Sequence, residues 1–412
     1  MPAPAGVSQA LPRASILRRI PPGIWALGFV SLLMDVSSEM IHALLPVYLV
    51  TALGASTLAV GFIEGIAEAT ASITKVFSGA LSDWLGRRKV LAAIGYGLAA
   101  FTKPVFPLAT TLGWVVAARF VDRIGKGIRG APRDALIADL APPDLRGASF
   151  GLRQSLDTAG AFLGPALAIG LMWLTSDNLR LVFWAAVVPG FAAFALILFT
   201  VHDAPARAGK KRVRSPLSRA ELGRLPPLYW WIVGVSAVFT LARFSEAFLV
   251  LRAQELGLAL MLIPLVLVLL NLVYSLSSYP IGVLADRHDR GMLLALGMLV
   301  LVLSELVLAL VGGMTGLALG VFLWGLHMGM TQGLLATLVA EVAPESLRGT
   351  AFGVFNLVGG LALLAASVVA GGLWDVLGSR ATFLAGACFA GLALLILVPV
   401  ARQARKSGHA HR

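Results

Sequence analysis

The chain has 412 residues, 58% of them hydrophobic and only 13% charged, with a mean hydropathy of +0.86; soluble proteins carry about 25% charged residues, so water is excluded as the solvent for most of it. A single cysteine, Cys388, excludes a disulfide framework and a multi-cysteine metal site. The formal net charge of +12 would suit nucleic acid, but the cations cluster at the ends of apolar segments, which is a membrane-topology pattern, and no nucleic-acid partner is expected.

Residues 1–23 contain Arg13, Arg18 and Arg19 and lack a cleavable-signal pattern, so the first apolar segment is expected to stay as a helix. Apolar runs of roughly 20 residues each suffice to cross a ~30 Å hydrocarbon core as a helix. They predict helices at 24–52, 57–82, 90–110, 113–138, 147–174 and 180–201. After a polar linker, 202–227, six more follow at 228–255, 259–284, 291–312, 315–341, 348–374 and 380–401, with 402–412 as a tail. The expected organisation is therefore two six-helix bundles, 24–201 and 228–401. Basic clusters after the second, sixth, eighth and twelfth segments (Arg87, Arg88 and Lys89; Lys210 to Arg224; Arg287 and Arg290; Arg402, Arg405 and Lys406) all fall on one face. Short Lys/Arg-rich loops stay inside, so both termini are expected in the cytoplasm of a bacterial inner membrane.

Charges also stand within the segments. The first carries Asp35, Glu39 and His42 at i, i+4 and i+7; the second carries Glu64, Glu68 and Lys75 on one face. In the fourth, Arg119, Asp122, Lys126, Arg129 and Arg133 follow i, i+3, i+7, i+10 and i+14, with Arg123 beside the stripe. The fifth adds Arg153 and Asp157, four apart. Arg129 and Arg133 lie toward the cytoplasmic end, where long side chains snorkel. The second half is sparser, with Arg243 and Glu246, then Glu305 and His327. Each deep charge costs about 2.5 to 3.5 kcal/mol on insertion scales, so these groups must face partners or a wet cavity. Asp35 and Glu39 are expected to take up a proton, with Arg119 and Asp122 as their charge partners; the competing reading is buried pairs that fix the packing. GKGIRG lacks the G-x4-G-K-[ST] spacing of a phosphate-binding loop, and no cofactor is expected.

The two groups of six repeat each other. GALSD at 79–83 recurs as GVLAD at 282–286, and DLRGASFG at 144–151 recurs as SLRGTAFG at 346–353. An even number of helices separates the copies, which gives a pseudo-two-fold axis along the membrane normal. GALSDWLGRRK, Gly79 to Lys89, resembles the G-x-L-x-D-x-x-G-R-R/K loop of the major facilitator superfamily. That resemblance implies an all-α membrane fold of twelve helices in two pseudo-symmetric bundles, and a secondary transporter, not an enzyme. It also implies a conformational latch of Gly79, Asp83, Gly86, Arg87 and Arg88. Asp83 would face the start of the eleventh helix and Arg87 an acid such as Asp134 or Asp139. The second copy is expected to be degraded, with Asp289 standing where a glycine belongs.

Gly151, Gly160, Gly164 and Pro165 form G-x8-G-x3-G-P, similar to the fifth-helix motif of drug and proton antiporters, although Ala168 and Ile169 replace its closing glycines. Such spacing lets a helix press on a partner, here expected from the other half. Arg119 matches the family's fourth-helix motif in part, with Arg123 at a glycine position. A subgroup with similar DVSSEM and GKGIR segments includes carriers associated with nickel or other metal export. The expected function is proton-coupled efflux of a small solute by a monomer in the bilayer. The alternative is a metal-ion exporter or solute importer on the same scaffold, with the acids of the first two segments and His42 binding the cation.

Overall fold

The computed structural model describes residues 18–85, 87–142, 145–203, 222–285, 288–344 and 347–409, and among them every regular element is helical. Helices satisfy their own backbone N–H and C=O groups, which lipid cannot do. In chain order they are α1 (Pro22–His42), α2 (Leu45–Thr51), α3 (Thr57–Leu85), α4 (Arg88–Thr102), α5 (Val105–Leu108), α6 (Leu112–Leu140), α7 (Arg146–Leu174) and α8 (Leu179–Thr200). The second half has α9 (Pro227–Ala242), α10 (Ala247–Glu255), a 3-10 turn (Leu260–Leu262), α11 (Leu265–Ala285), α12 (Arg290–Leu310), α13 (Gly313–Val342), α14 (Arg348–Leu377) and α15 (Ser379–His409). Ten spans among the described residues are long and apolar enough to cross a membrane. α3 and α6 have the length, at 29 residues each, and their internal charges lower their hydropathy.

Three expected segments are broken. The first divides between α1 and α2, where Pro46 has no N–H to donate to the His42 carbonyl. The third divides at Lys103 and Pro104. The seventh unwinds over Arg243 to Glu246, and the freed Ser245 N–H donates to Ser367 Oγ of α14 at 3.2 Å. The breaks in the first and seventh segments fall at matching places in the repeat, and each carries ionisable side chains.

The two halves meet chiefly along α3 and α14, which pack closely over their length. A β-carbon at Gly65 would stand 2.9 Å from Leu364 Cα, and one at Gly360 would stand 2.8 Å from Ser72 Cβ. Larger residues at either place would force the helices apart. α7 also touches α11.

At the end away from the chain termini, called here the far end, α2 packs on α10, and Ala43, Val47, Val250, Ile263 and Leu267 are buried together. The Asp375 carboxylate of α14 accepts hydrogen bonds there from the N–H groups of Thr57 (2.9 Å) and Leu58 (3.0 Å) at the start of α3, and from the Thr57 hydroxyl. It supplies acceptors to N–H groups that a helix start leaves unpaired, and it comes from the opposite half. Polar side chains are exposed at Lys126, midway along α6, and at Gln154 and Ser155 in the terminal half of α7. The space between the halves is thus sealed at the far end.

Candidate functional site

The α6 stripe is the spine of the ionic site, because its 3.6-residue period aims Arg119, Asp122, Lys126, Arg129 and Arg133 at one side. The opposite, lipid-side surface carries Phe120 at 43% exposure. Gly127 lets α6 lie against α3, since a β-carbon there would stand 2.8 Å from the Ala71 carbonyl oxygen. That close approach brings the acids of α3 to the stripe.

Near mid-helix the charges form a chain of contacts. The Arg119 guanidinium donates to Glu64 at 2.7 Å, with both side chains buried. His42 at the end of α1 lies 3.7 Å from the same Glu64 oxygen and 3.3 Å from Glu39. Arg123 is 3.0 Å from Glu68 and 3.8 Å from Asp122. Lys103 donates to Asp122 at 2.9 Å and to Ser38 at 3.0 Å. Arg119 and Asp122 are therefore not the partners of Asp35 and Glu39, as the spacing suggested. The α3 acids stand closer to Arg119, and Lys103 occupies Asp122.

A second cluster lies one to two turns nearer the terminal end. Arg133 is 3.2 Å from Asp134, donates to Ser31 Oγ at 3.0 Å and is 4.0 Å from Asp157. Arg153 pairs with Asp157 and reaches Asp134 at 3.8 Å. Asp35, half-buried on α1, faces this cluster across Gly160 and has no ion-pair contact among the described residues. Arg129 does not snorkel: it is buried, with its guanidinium 5.0 Å from the Tyr96 ring centroid. A ring face attracts a cation, and Tyr96 on α4 presents one to Arg129.

Lys103 was missed by the sequence reading. The only signal was a lysine beside Pro104 inside an otherwise apolar run. In the second half, Arg243 and Glu246 flank the unwound stretch and make no ion pair among the described residues; Arg243 lies 5.7 Å from the Phe239 ring centroid. Glu305 and His327 are fully buried and no hydrogen-bond partner is resolved for either side chain. Glu305 packs on Gly386 of α15, and His327 packs edge-on to Trp324 and Phe239. Among the described residues, no three His, Cys, Asp or Glu side chains converge as metal ligands.

Two motif expectations need correction. The α7 glycines press on α1 of their own half, not on the other half: β-carbons at Gly160 and Gly164 would stand 2.8 Å from Leu32 O and 2.9 Å from Val36 O. Pro165 lies within α7, while Gly151 meets nothing within 4 Å. In the loop before α4, it is Arg88 that reaches Asp139, at 3.1 Å, while Arg87 is exposed and Asp134 belongs to the Arg133 and Arg153 cluster. A β-carbon at Gly79 would stand 3.4 Å from Ala131 Cβ of α6. The Asp83 side chain and Gly86 lie outside the described residues. The second copy keeps more than its glycine loss suggests, since Arg290 pairs with Glu341 as Arg88 does with Asp139, and Asp289 caps α12 by accepting from Met292 N–H at 2.8 Å.

A sequence model of the Major Facilitator Superfamily matches residues 27–367 and 247–411. An uncharacterized MFS-type transporter of Methanocaldococcus jannaschii is 33% identical over 92% of this chain and 95% of its own length. The quinolone resistance protein NorA of Staphylococcus aureus is 26% identical over 53% of this chain and 54% of its own. Among solved structures, a POT family transporter in complex with 5-aminolevulinic acid has a TM-score of 0.79 and 14% identity, covering 93% of this chain and 96% of that one.

Proposed function

Because the chain belongs to the major facilitator superfamily, and is thus a multi-pass membrane transporter, we propose that it is a proton-coupled exporter of a small solute working by alternating access. The observation that carries this reading is the run of charged side chains paired across α1, α3, α6 and α7 next to the seam between the halves, which is sealed at the far end. Fixed charges at lipid depth are costly unless they serve a polar route. The terminal end would face the cytoplasm of a bacterial inner membrane, and alternating access would open it there. Similarity to a quinolone resistance protein favours the outward direction.

Asp35 is the first coupling residue in this reading. It is half-buried, faces Asp157 across Gly160 and has no ion-pair contact among the described residues, so it can gain or lose a proton without breaking a salt bridge. Glu39, held by His42, is the second. Asp134, Asp157, Arg133 and Arg153 would rearrange when Asp35 changes charge. Arg88 with Asp139 and Arg290 with Glu341 would hold the terminal-end loops to their own halves during the motion.

The experiment is proton flux in proteoliposomes under an imposed pH gradient, with and without a transported solute. Asp35→Asn is expected to lose solute-linked proton movement at least tenfold while its melting temperature stays within a few degrees of the parent. Normal coupled flux in that variant rejects Asp35 as the proton carrier; no proton movement with any transported solute in the parent rejects proton coupling.

A further inference from the structure

The lysine and arginine side chains buried among the described residues are Lys103, Arg119, Arg123 and Arg129. The first three are held by an acid at contact distance: Lys103 by Asp122, Arg119 by Glu64 and Arg123 by Glu68. Arg129 is not. Its guanidinium rests over the Tyr96 ring, 5.0 Å from the centroid, and its Nη1 is buried with no hydrogen-bond partner. A ring face offsets charge but accepts no strong hydrogen bond, so this cation is only partly satisfied where it lies.

Asp35 is an acid in the converse position, without an ion pair among the described residues, and it stands at the same level. α1 and α6 run antiparallel, and two contacts set their register: a β-carbon at Gly23 would stand 3.3 Å from Leu140 Cδ1, and Arg133 donates to Ser31 Oγ at 3.0 Å. One further turn along both helices brings Asp35 opposite Arg129. Tyr96 joins the same place from α4, since its hydroxyl lies 3.2 Å from Ser31 Oγ, one turn before Asp35. The ring that carries Arg129 thus reaches to α1.

The other charges around Asp35 are engaged. Arg133, Asp157 and Glu39 stand within its electrostatic range together with Arg129. Arg133 is shared among Ser31, Asp134 and Asp157, Arg153 of α7 pairs with Asp157, and Glu39 is held by His42. Lys126, one turn farther along α6, is exposed.

We propose that Arg129 is the positioning residue for proton exchange at Asp35, resting on Tyr96 while Asp35 carries a proton and pairing with Asp35 once the proton has left. The inference deepens the coupling reading above and rests on it. On ionisation the carboxyl O–H bond breaks, the proton passes to water, and the carboxylate left behind gains the guanidinium. Arg129 keeps all its own protons throughout. On reprotonation the pair parts and the guanidinium returns to the ring. An uncompensated carboxylate at lipid depth is costly, so the partner governs the pH at which the proton leaves, and Tyr96 governs how readily the partner is released. The described conformation, with Arg129 on the ring, is the protonated member of the exchange.

The test is an infrared titration of the full-length protein in detergent, following the protonated-carboxyl band that Asp35→Asn removes. In Arg129→Gln the midpoint of that band is expected to rise by about one pH unit or more, the scale of a lost opposite charge, and in Arg129→Lys to return to within about half a unit of the parent. Tyr96→Leu, which removes the resting face, is expected to lower the midpoint by about half a unit or more, whereas Tyr96→Phe keeps the face and leaves the midpoint in place. An Arg129 that served packing alone would change the melting temperature without moving the midpoint. The proposal is overturned if no titrating band depends on Asp35, or if the midpoint stays put in Arg129→Gln or, should that variant not fold, in Tyr96→Leu. No gradient or solute enters this measurement, so it separates from the flux experiment. An unmoved midpoint with coupled flux lost in Asp35→Asn removes Arg129 and keeps Asp35 as the carrier. A midpoint that moves as expected, with normal coupled flux in Asp35→Asn, keeps the exchange pair and removes Asp35 from coupling.

Discussion

Replacing Arg119 by alanine strands the Glu64 carboxylate, whose Oε1 already has no hydrogen-bond partner and whose side chain is 1% exposed. Breaking a buried pair from one side costs about 3 to 5 kcal/mol. Arg119→Ala should therefore lower the melting temperature in detergent sharply, and pairing it with Glu64→Gln should recover much of the loss. If the single variant melts like the parent, the pair is not structural. Helical spacing alone put Arg119, Asp122, Lys126 and Arg133 on one side of α6, and that much was legible because a period of 3.6 is a local property. The partners were not legible. Whether Arg119 meets Asp35 or Glu64 depends on which of α1 and α3 approaches it more closely, and Gly127 decides that by admitting α3. Arg129 was misread for the same reason, since distance to an interface can be counted along a helix but the nearness of Tyr96 cannot.

At the scale of elements, the Asp375 cap on α3 joins the two halves only while the far end is closed. Asp375→Asn removes the charge that faces the α3 start and weakens a cap worth about 0.5 to 2 kcal/mol. The balance should move toward the far-end-open form by about 2- to 30-fold, read as lengthened distances between spin labels placed at the ends of α2 and α10. Unchanged distances would mean that the apolar cluster alone holds that end. The twelve apolar segments were legible from run length. Their interruptions were only partly so: Pro46 and Pro104 are visible breakers, but nothing local marks Arg243 to Glu246, where the unwound backbone is held by Ser367 from a helix more than a hundred residues on. The α7 glycines show the converse limit, because small-residue spacing reveals that a close neighbour exists without saying which half provides it.

For the whole molecule, alternating access requires the far-end seal to open. Val47 and Val250 belong to one buried cluster there, one from each half. With Cys388 replaced, Val47→Cys together with Val250→Cys offers a reversible lock: oxidation should stop solute flux in proteoliposomes and a thiol reductant should restore it. Flux that continues through the oxidised, cross-linked protein would be incompatible with rocking about this seal.

The lopsided placement of charge has a consequence for how such a carrier can change. Among the described residues almost all of the ion pairs are built into the first half, whereas the second is held by a buried aromatic core of Phe239, Phe244, Trp324 and Phe383. Substitutions in the second half therefore leave the electrical work next door undisturbed, so descendants of one duplicated ancestor can diverge on that side while inheriting a common engine.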